Sequence, residues 1–194
     1  MGAPVRKAAT YADLEAVPAP LVAEIVHGVL ETHPRPLPRH AIAQAELARV
    51  VGTPFRQGGG PPGDWIFMIE PELHLGAHVV VPDIAGWRRE RLPTLPSGVG
   101  VTTAPDWICE ILSPSTARLD LGPKRRIYAE AGVGHLWLLD PAIQVLDAFS
   151  LAGDRWLLAG TAVGSEPVSL PPFDAISFPL DSLFPLDPPV TDKA

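Results

Sequence analysis

Two acidic residues sit inside apolar runs, Asp83 in Pro82-Asp83-Ile84 and Glu110 in Cys109-Glu110-Ile111-Leu112. An ionised carboxylate left unpaired in a dry strand interior costs on the order of several kcal/mol, so both acids require a partner. Side chains alternate along a strand, which places Glu110 and Leu112 on one sheet face and Cys109 and Ile111 on the other. Carboxylates are hard oxygen ligands suited to Mg²⁺ or Mn²⁺, ions that take one or two of them and complete their shells with water and phosphate oxygens. The chemistry this implies is metal-assisted hydrolysis, in which the ion lowers the pKa of a bound water and offsets charge on the transition state. Lys124, opening a helical run downstream of Glu110, is the cation placed to share that work. For either acid alone, a buried salt bridge without chemistry is an equal reading.

Competing chemistries have less behind them. His74 and His78 are four residues apart, but in a strand-turn-strand context that spacing does not force them onto one zinc ion. Cys109, the single cysteine, points away from the Glu110 face and reads as a small apolar core residue. Gly58-Gly59-Gly60 and Gly122-Pro123-Lys124 lack the Gly-x-x-x-x-Gly-Lys-Ser/Thr spacing of a phosphate loop and read as turns. Trp137 reads as core, and Asp140-Pro141 as the end of a strand.

The elements that must position these residues follow from local patterns. Thr10-Tyr11-Ala12-Asp13 is a capping box that starts a short helix, stopped by Pro18 and Pro20. Two β-rich runs flank His27-Gly28, the pattern of a two-residue hairpin turn. His40 to Val51 carries apolar residues near helical spacing and predicts a second helix. After a Gly/Pro-rich loop at Gly58–Gly63, Trp65, Phe67 and Ile69 alternate like a half-buried strand. Short strands are expected at Glu72–Leu75, Val79–Trp87, Trp107–Leu112, Leu136–Asp140 and Val145–Ser150, and a hairpin partner at Trp156–Ala162 beyond Gly153-Asp154. A third helix is expected from Gly122 to Ala131, with Pro123 in its first turn, Gly132 as its stop, and Asp120 capping it or bracing Lys124. Arg88 to Gly100 reads as a long loop, and Leu183-Phe184 as packing back on the body.

Composition bounds the rest. At 194 residues, the chain suits one domain, placed at 1–184 with a flexible tail at 185–194. The 24 prolines and 17 glycines indicate extensive loops. One cysteine excludes an internal disulfide and fits a reducing compartment, the cytoplasm; no membrane span or secretory leader is expected. A net charge of −7 does not suit nucleic acid overall, because phosphate affinity needs clustered cations. Only local groups, Arg35 with Arg39, Arg88 with Arg89 and Arg91, and Lys124 with Arg125 and Arg126, offer a phosphate-tracking rim.

Several segments together carry a resemblance. Tyr11-Ala12-Asp13-Leu14, Glu24 through Leu30, Pro82-Asp83-Ile84, and Cys109-Glu110-Ile111-Leu112-Ser113-Pro114-Ser115-Thr116 are similar to the Uma-two family of endonucleases. Asp120, Lys124, Tyr128, Ala131-Gly132-Val133 and Leu136 through Pro141 keep the same order, so the likeness runs from about Thr10 to Phe184. The resemblance implies a restriction-endonuclease-like, PD-(D/E)xK fold of mixed α/β class: a mixed central sheet flanked by helices, with additional β-hairpins. It implies Asp83 and Glu110 as ligands of Mg²⁺ or Mn²⁺, Lys124 as the assisting lysine, and Glu24 as an acid that holds a second metal or orients water. Leu112 stands where the superfamily lysine is expected, two residues after the Glu, and a leucine can neither donate a hydrogen bond nor stabilise charge. His27 stands where many relatives carry an Asp before the glycine.

The same resemblance makes Asp120 and Tyr128 supporting residues, both on the helical face of Lys124. His40, at the start of the second helix, either meets substrate or lies on the surface. DNA is the implied substrate, and a homodimer formed through an edge strand or the C-terminal hairpin is the implied assembly for cutting two strands. The rival readings are a catalytically silent DNA-binding or protein-interaction module of the same fold, and a hydrolase of smaller phosphodiesters, which the acidic charge suits.

Overall fold

A computed structural model describes residues 7–55 and 64–187. The chain runs α1 (Tyr11–Glu15), β1 (Leu21–Val26), β2 (Val29–Pro34), α2 (Pro38–Gly52), β3 (Trp65–Ile69), β4 (Leu73–Leu75), β5 (His78–Val80), β6 (Ile84–Arg88) and β7 (Trp107–Ile111). A helical stretch follows, with α3 (Ala117–Leu119), a π-helical turn at Asp120–Lys124 and α4 (Arg125–Glu130). Then come β8 (His135–Asp140), β9 (Val145–Ala152), β10 (Arg155–Val163), β11 (Pro167–Val168), β12 (Phe178–Pro179) and a 3₁₀ turn at Leu180–Leu183. The mixed α/β class with added hairpins holds.

The larger sheet has the order β10-β9-β8-β7-β6-β3 and is antiparallel except for the central β7/β8 pair. That parallel pair needs a crossover, which the helical stretch between the two strands supplies. Every residue of β7 is buried, as expected for a central strand covered on both faces. One face packs Trp107, Cys109, Ile111 and Trp137 against Leu47 of α2 and Phe173 and Leu183 of the C-terminal segment. The other packs Ala85, Trp87, Ile108 and Leu136 against Ile127 of α4 and Val80 of the smaller sheet. That smaller sheet has the order β2-β1-β5-β4 and is wholly antiparallel.

Local chemistry accounts for the boundaries. The Thr10 capping box forms in full, with Thr10 Oγ1 accepting from the Asp13 amide and Asp13 accepting from the Thr10 amide. The β1/β2 hairpin turns on His27 and Gly28, with φ of 49° and 74°, the two left-handed residues of a type I′ turn. Pro38 opens α2, where its missing N–H is no loss.

Three expectations change. The single strand expected over Val79–Trp87 is two strands in two different sheets, β5 and β6. Pro82 cannot donate to a ladder and its ring fixes φ, so the chain bends there and passes between sheets. The third helical stretch begins at Ala117, five residues before Gly122, and Pro123 lies inside it. A wider turn around Pro123 accommodates a residue that lacks the i→i−4 donor. In β3, Trp65 is buried but Ile69 at the other end is exposed. The Gly58–Gly63 loop and most of the 185–194 tail lie outside the described residues.

Candidate active site

The bend between the sheets carries Asp83, and the strand beside it carries Glu110. Because Ile84 pairs with Cys109, Asp83 and Glu110 fall next to each other across the β6/β7 boundary. Each carboxylate reaches a backbone amide across that boundary. Asp83 Oδ2 accepts from the Ile111 amide at 2.6 Å, and Glu110 Oε2 lies 3.4 Å from the Asp83 amide. Asp83 Oδ1 is held at 2.7 Å by His40 Nε2, and the Asp83 carbonyl accepts from Gln44 Nε2 at 2.9 Å. His40 and Gln44 stand one turn apart on α2, so one helical face fixes both ends of Asp83. His40 Nδ1 is buried without a partner. We therefore assign the proton to Nε2, which donates to Asp83, and leave Nδ1 bare.

Lys124 lies beneath this pair, almost wholly buried. Its Nζ is 2.9 Å from Glu110 Oε1, 3.1 Å from Glu24 Oε1, 3.1 Å from Asp120 Oδ1 and 3.3 Å from the Val81 carbonyl. An ammonium has three N–H donors, so the three carboxylates saturate it. Tyr128 does not brace Lys124; its hydroxyl donates a short hydrogen bond to Glu110 Oε1. Glu24 also accepts from the Val81 amide at 2.8 Å and lies 3.4 Å from His33 Nε2. The structure thus gathers Glu24, Asp83, Glu110, Asp120 and Lys124 in one place, with Tyr128 and His40 around them. Asp120 braces Lys124 from within the helical stretch and does not cap it.

The electrostatics follow from three carboxylates on one ammonium, with a fourth, Asp83, beside Glu110. Burial alone would raise Glu24, but Lys124, His33 and the Val81 amide outweigh it and hold its pKa at about 2. Burial pushes Glu110 well up, and the attraction of Lys124 does not restore it because Asp120 and Asp83 repel. Asp120 is raised for the same first reason, burial. Burial would lower Lys124, yet Glu110, Glu24 and Asp120 together drive it well above its ordinary value. The cluster is short of positive charge.

A cleft of about 270 Å³ opens on this cluster. Asp83, Glu110, Asp120 and Lys124 line it, with His33 to Leu37 and His40 along one side and Ser113 to Thr116 along the other. Among the described residues no group of three or more His, Cys, Asp or Glu forms a closed metal cage. The Asp83–Glu110 pair is instead an open, two-carboxylate donor set of hard oxygens, the kind that suits Mg²⁺ or Mn²⁺ and does not suit structural zinc.

Of the arginines expected as a rim, Arg35 lines the cleft and the others are elsewhere. Arg88 stacks over Trp65 at 4.4 Å, and Arg91 pairs with Asp106 at 2.6 Å. Arg88 ends β6, about 17 Å of strand away from Asp83, and Arg91 lies in the turn beyond it. Arg89 lines a separate depression beside Trp65. Arg125 lies over the Phe149 ring, Arg39 pairs with Asp187, and Arg126 is absent from the cleft wall. His74 and His78 do not converge: His74 contacts Glu72, while His78 Nδ1 accepts from the His27 amide.

The family model Uma2, described as a putative restriction endonuclease, matches residues 8–181. The chain belongs to the Uma2 family. No curated protein matches. Among solved structures, a putative nuclease belonging to DUF820 from Anabaena variabilis is similar at a TM-score of 0.69 and 24% identity. The alignment covers 91% of this chain and 97% of that one. At that identity the likeness speaks for the fold, which this Uma2 chain shares.

Sequence reading missed His33, Gln44 and the cleft-lining Glu70. The hairpin register held a signal for the first: with the turn at His27-Gly28, Val22 faces His33 and Glu24 faces Glu31. That places His33 diagonal to Glu24 on the same face. Gln44 lies four residues after His40, the spacing of one helical face.

Proposed function

We propose that this chain is a divalent-metal-dependent endonuclease that hydrolyses phosphodiester bonds in DNA, with residues 1–184 as one domain. The observation that carries the reading is the pairing of Asp83 and Glu110, Glu110 bonded to the Asp83 amide, Asp83 to the Ile111 amide beside Glu110, and both facing one cleft. They would hold Mg²⁺ or Mn²⁺. When bound, the ion supplies a water of lowered pKa and charge neutralisation on the phosphate. The deficit of positive charge around Glu110 and Asp120 favours such an ion.

The chain's own residues prepare that site. His40 and the Ile111 amide orient Asp83, while Tyr128 and Lys124 orient Glu110. Lys124 keeps Glu24 ionised, and Glu24 in turn fixes the Val81 amide at the bend. For Lys124 also to reach a water or a phosphate oxygen, one of its three ion pairs must open. It is therefore first a positioning residue.

The test is calorimetric titration of Mn²⁺ and Mg²⁺ into wild type, Asp83→Ala and Glu110→Ala, beside plasmid nicking. Metal uptake and nicking in wild type, both lost in the variants, is the expected result. No uptake by wild type, even with DNA present, would overturn the reading in favour of a binding module of this fold. Hydrolysis of a small phosphodiester without nicking would replace DNA as the substrate.

A further inference from the structure

The cleft needs a permanent charge to hold the phosphate, and its lining offers two, Lys124 and Arg35. Lys124 has no N–H to spare, and the arginine clusters at Arg88–Arg91 and Arg125–Arg126 are outside the cleft wall. Arg35 is the other permanently charged cation of the lining. It stands just beyond β2, its side chain is 60% exposed, and its contacts are long, 3.5 Å to Glu70 Oε2 and 3.4 Å to the Ala19 carbonyl. A loosely held guanidinium at the mouth of an anionic cleft is free to rearrange at little cost, and its planar fork matches phosphate oxygens.

Glu70 is placed with more care than Arg35. Its φ of 47° lies in the left-handed region, which a non-glycine residue adopts only when its surroundings hold it there. Its amide donates to the Asp83 carbonyl at 3.0 Å. The strained turn after β3 therefore ties Glu70 directly to Asp83 and holds its carboxylate at the cleft mouth, against Arg35. Across the mouth stand the hydroxyls of Ser113, Ser115 and Thr116, Ser113 lying 2.9 Å and 3.0 Å from the other two. These can donate to further phosphate oxygens.

We propose that Arg35 is the phosphate-binding residue of the cleft and that Glu70 is its built-in competitor, released when the backbone phosphate of a DNA strand takes its place. The assignment rests on the nuclease reading for the identity of the ligand and on the Arg35–Glu70 geometry for the mechanism. Arg35 thereby acts on substrate binding, and Glu70 makes the mouth selective for anions strong enough to displace a carboxylate.

The test is fluorescence anisotropy of a short labelled DNA strand in chelator, where no cleavage occurs, over a salt series, with thermal melts as a check on folding. Arg35→Ala is expected to weaken binding about tenfold and to lower the slope of log K against log salt by about 0.7, one phosphate contact. Arg35→Lys should keep the slope but regain only part of the affinity, because a point charge replaces a fork. Glu70→Gln should tighten binding. Unchanged affinity and slope in Arg35→Ala, weaker binding in Glu70→Gln, or no binding by wild type would each overturn the proposal. The nuclease reading fails separately, by absence of metal uptake. A protein that binds the strand through Arg35 yet takes no metal sinks that reading alone, and one that takes metal and nicks DNA but ignores Arg35 sinks this proposal alone.

Discussion

Cys109 and Glu110 are adjacent on β7, and both are buried to within 1% of completely. Burial raises the pKa of both. The likeness ends there. Cys109 faces Trp107 and Ile111 in an apolar layer and needs no partner, whereas Glu110 faces Lys124, Tyr128 and the Asp83 amide. Depth alone does not make a reactive site; a buried group becomes useful when its neighbours are arranged to carry its charge. One strand separates the two conditions by a single residue, because alternation assigns one face to packing and the other to chemistry.

The sharpest way to break this contrast is Lys124→Met. It leaves Glu24, Glu110 and Asp120 without their shared cation, and should cost about 3–5 kcal/mol in urea unfolding. A loss no larger than that of a Cys109 variant would mean the charged face is as indifferent to its partners as the apolar one.

Acid provides the next test. Glu24 sits at about 2 in the folded chain against an ordinary 4.5, so the folded state holds its charge more tightly than the unfolded state. Its contribution, about 3 kcal/mol, is present above pH 4.5 and drains away as pH falls towards 2. Glu110 and Asp120 are shifted the other way and oppose this loss. Stability measured between pH 5 and 2 should fall less steeply in Glu24→Gln than in wild type; parallel profiles would remove Glu24 from the cluster's energetics.

His40→Ala should weaken Mn²⁺ binding about 10–100-fold through loss of Asp83 orientation, with His40→Gln recovering part of it in calorimetry. Equal affinities would reduce His40 to packing. The smallest effect belongs to the apolar face. Cys109→Ala should cost about 1 kcal/mol and leave plasmid nicking unchanged, and the wild-type thiol should react with a disulfide reagent only as the chain unfolds.

Much of this arrangement was legible in the order of residues. The pattern around His27-Gly28 specified a hairpin, the Thr10 box a helix start, and the apolar run at Trp107 a central strand, each because the cause is local. Asp83, Glu110 and Lys124 could be nominated because charge inside an apolar run has to be compensated. What was not legible depended on contacts between distant segments. The bend at Pro82 decides which sheet each half of Val79–Trp87 joins, and only the folded chain shows that it carries Asp83 to the boundary. Two of the expected rim arginines stand apart from the cleft for a related reason: Arg88 and Arg91 are near Asp83 in sequence, but an extended strand carries the chain away at about 3.3 Å per residue. Tyr128 shares the helical face of Lys124, yet its partner, Glu110, is on β7.

The widened turn at Asp120–Lys124 has one more consequence. An ordinary helix advances about 100° per residue, so positions four and eight residues apart drift by about 40° and 80° around the axis. Asp120, Lys124 and Tyr128 are spaced in this way, yet all three reach one small cluster. The looser winding at Pro123 takes up part of the drift, like a leap day that keeps a calendar aligned with the seasons. The stretch can therefore change its residue types more freely than its length, since losing one position would turn every later side chain of the helix away from the acids it serves.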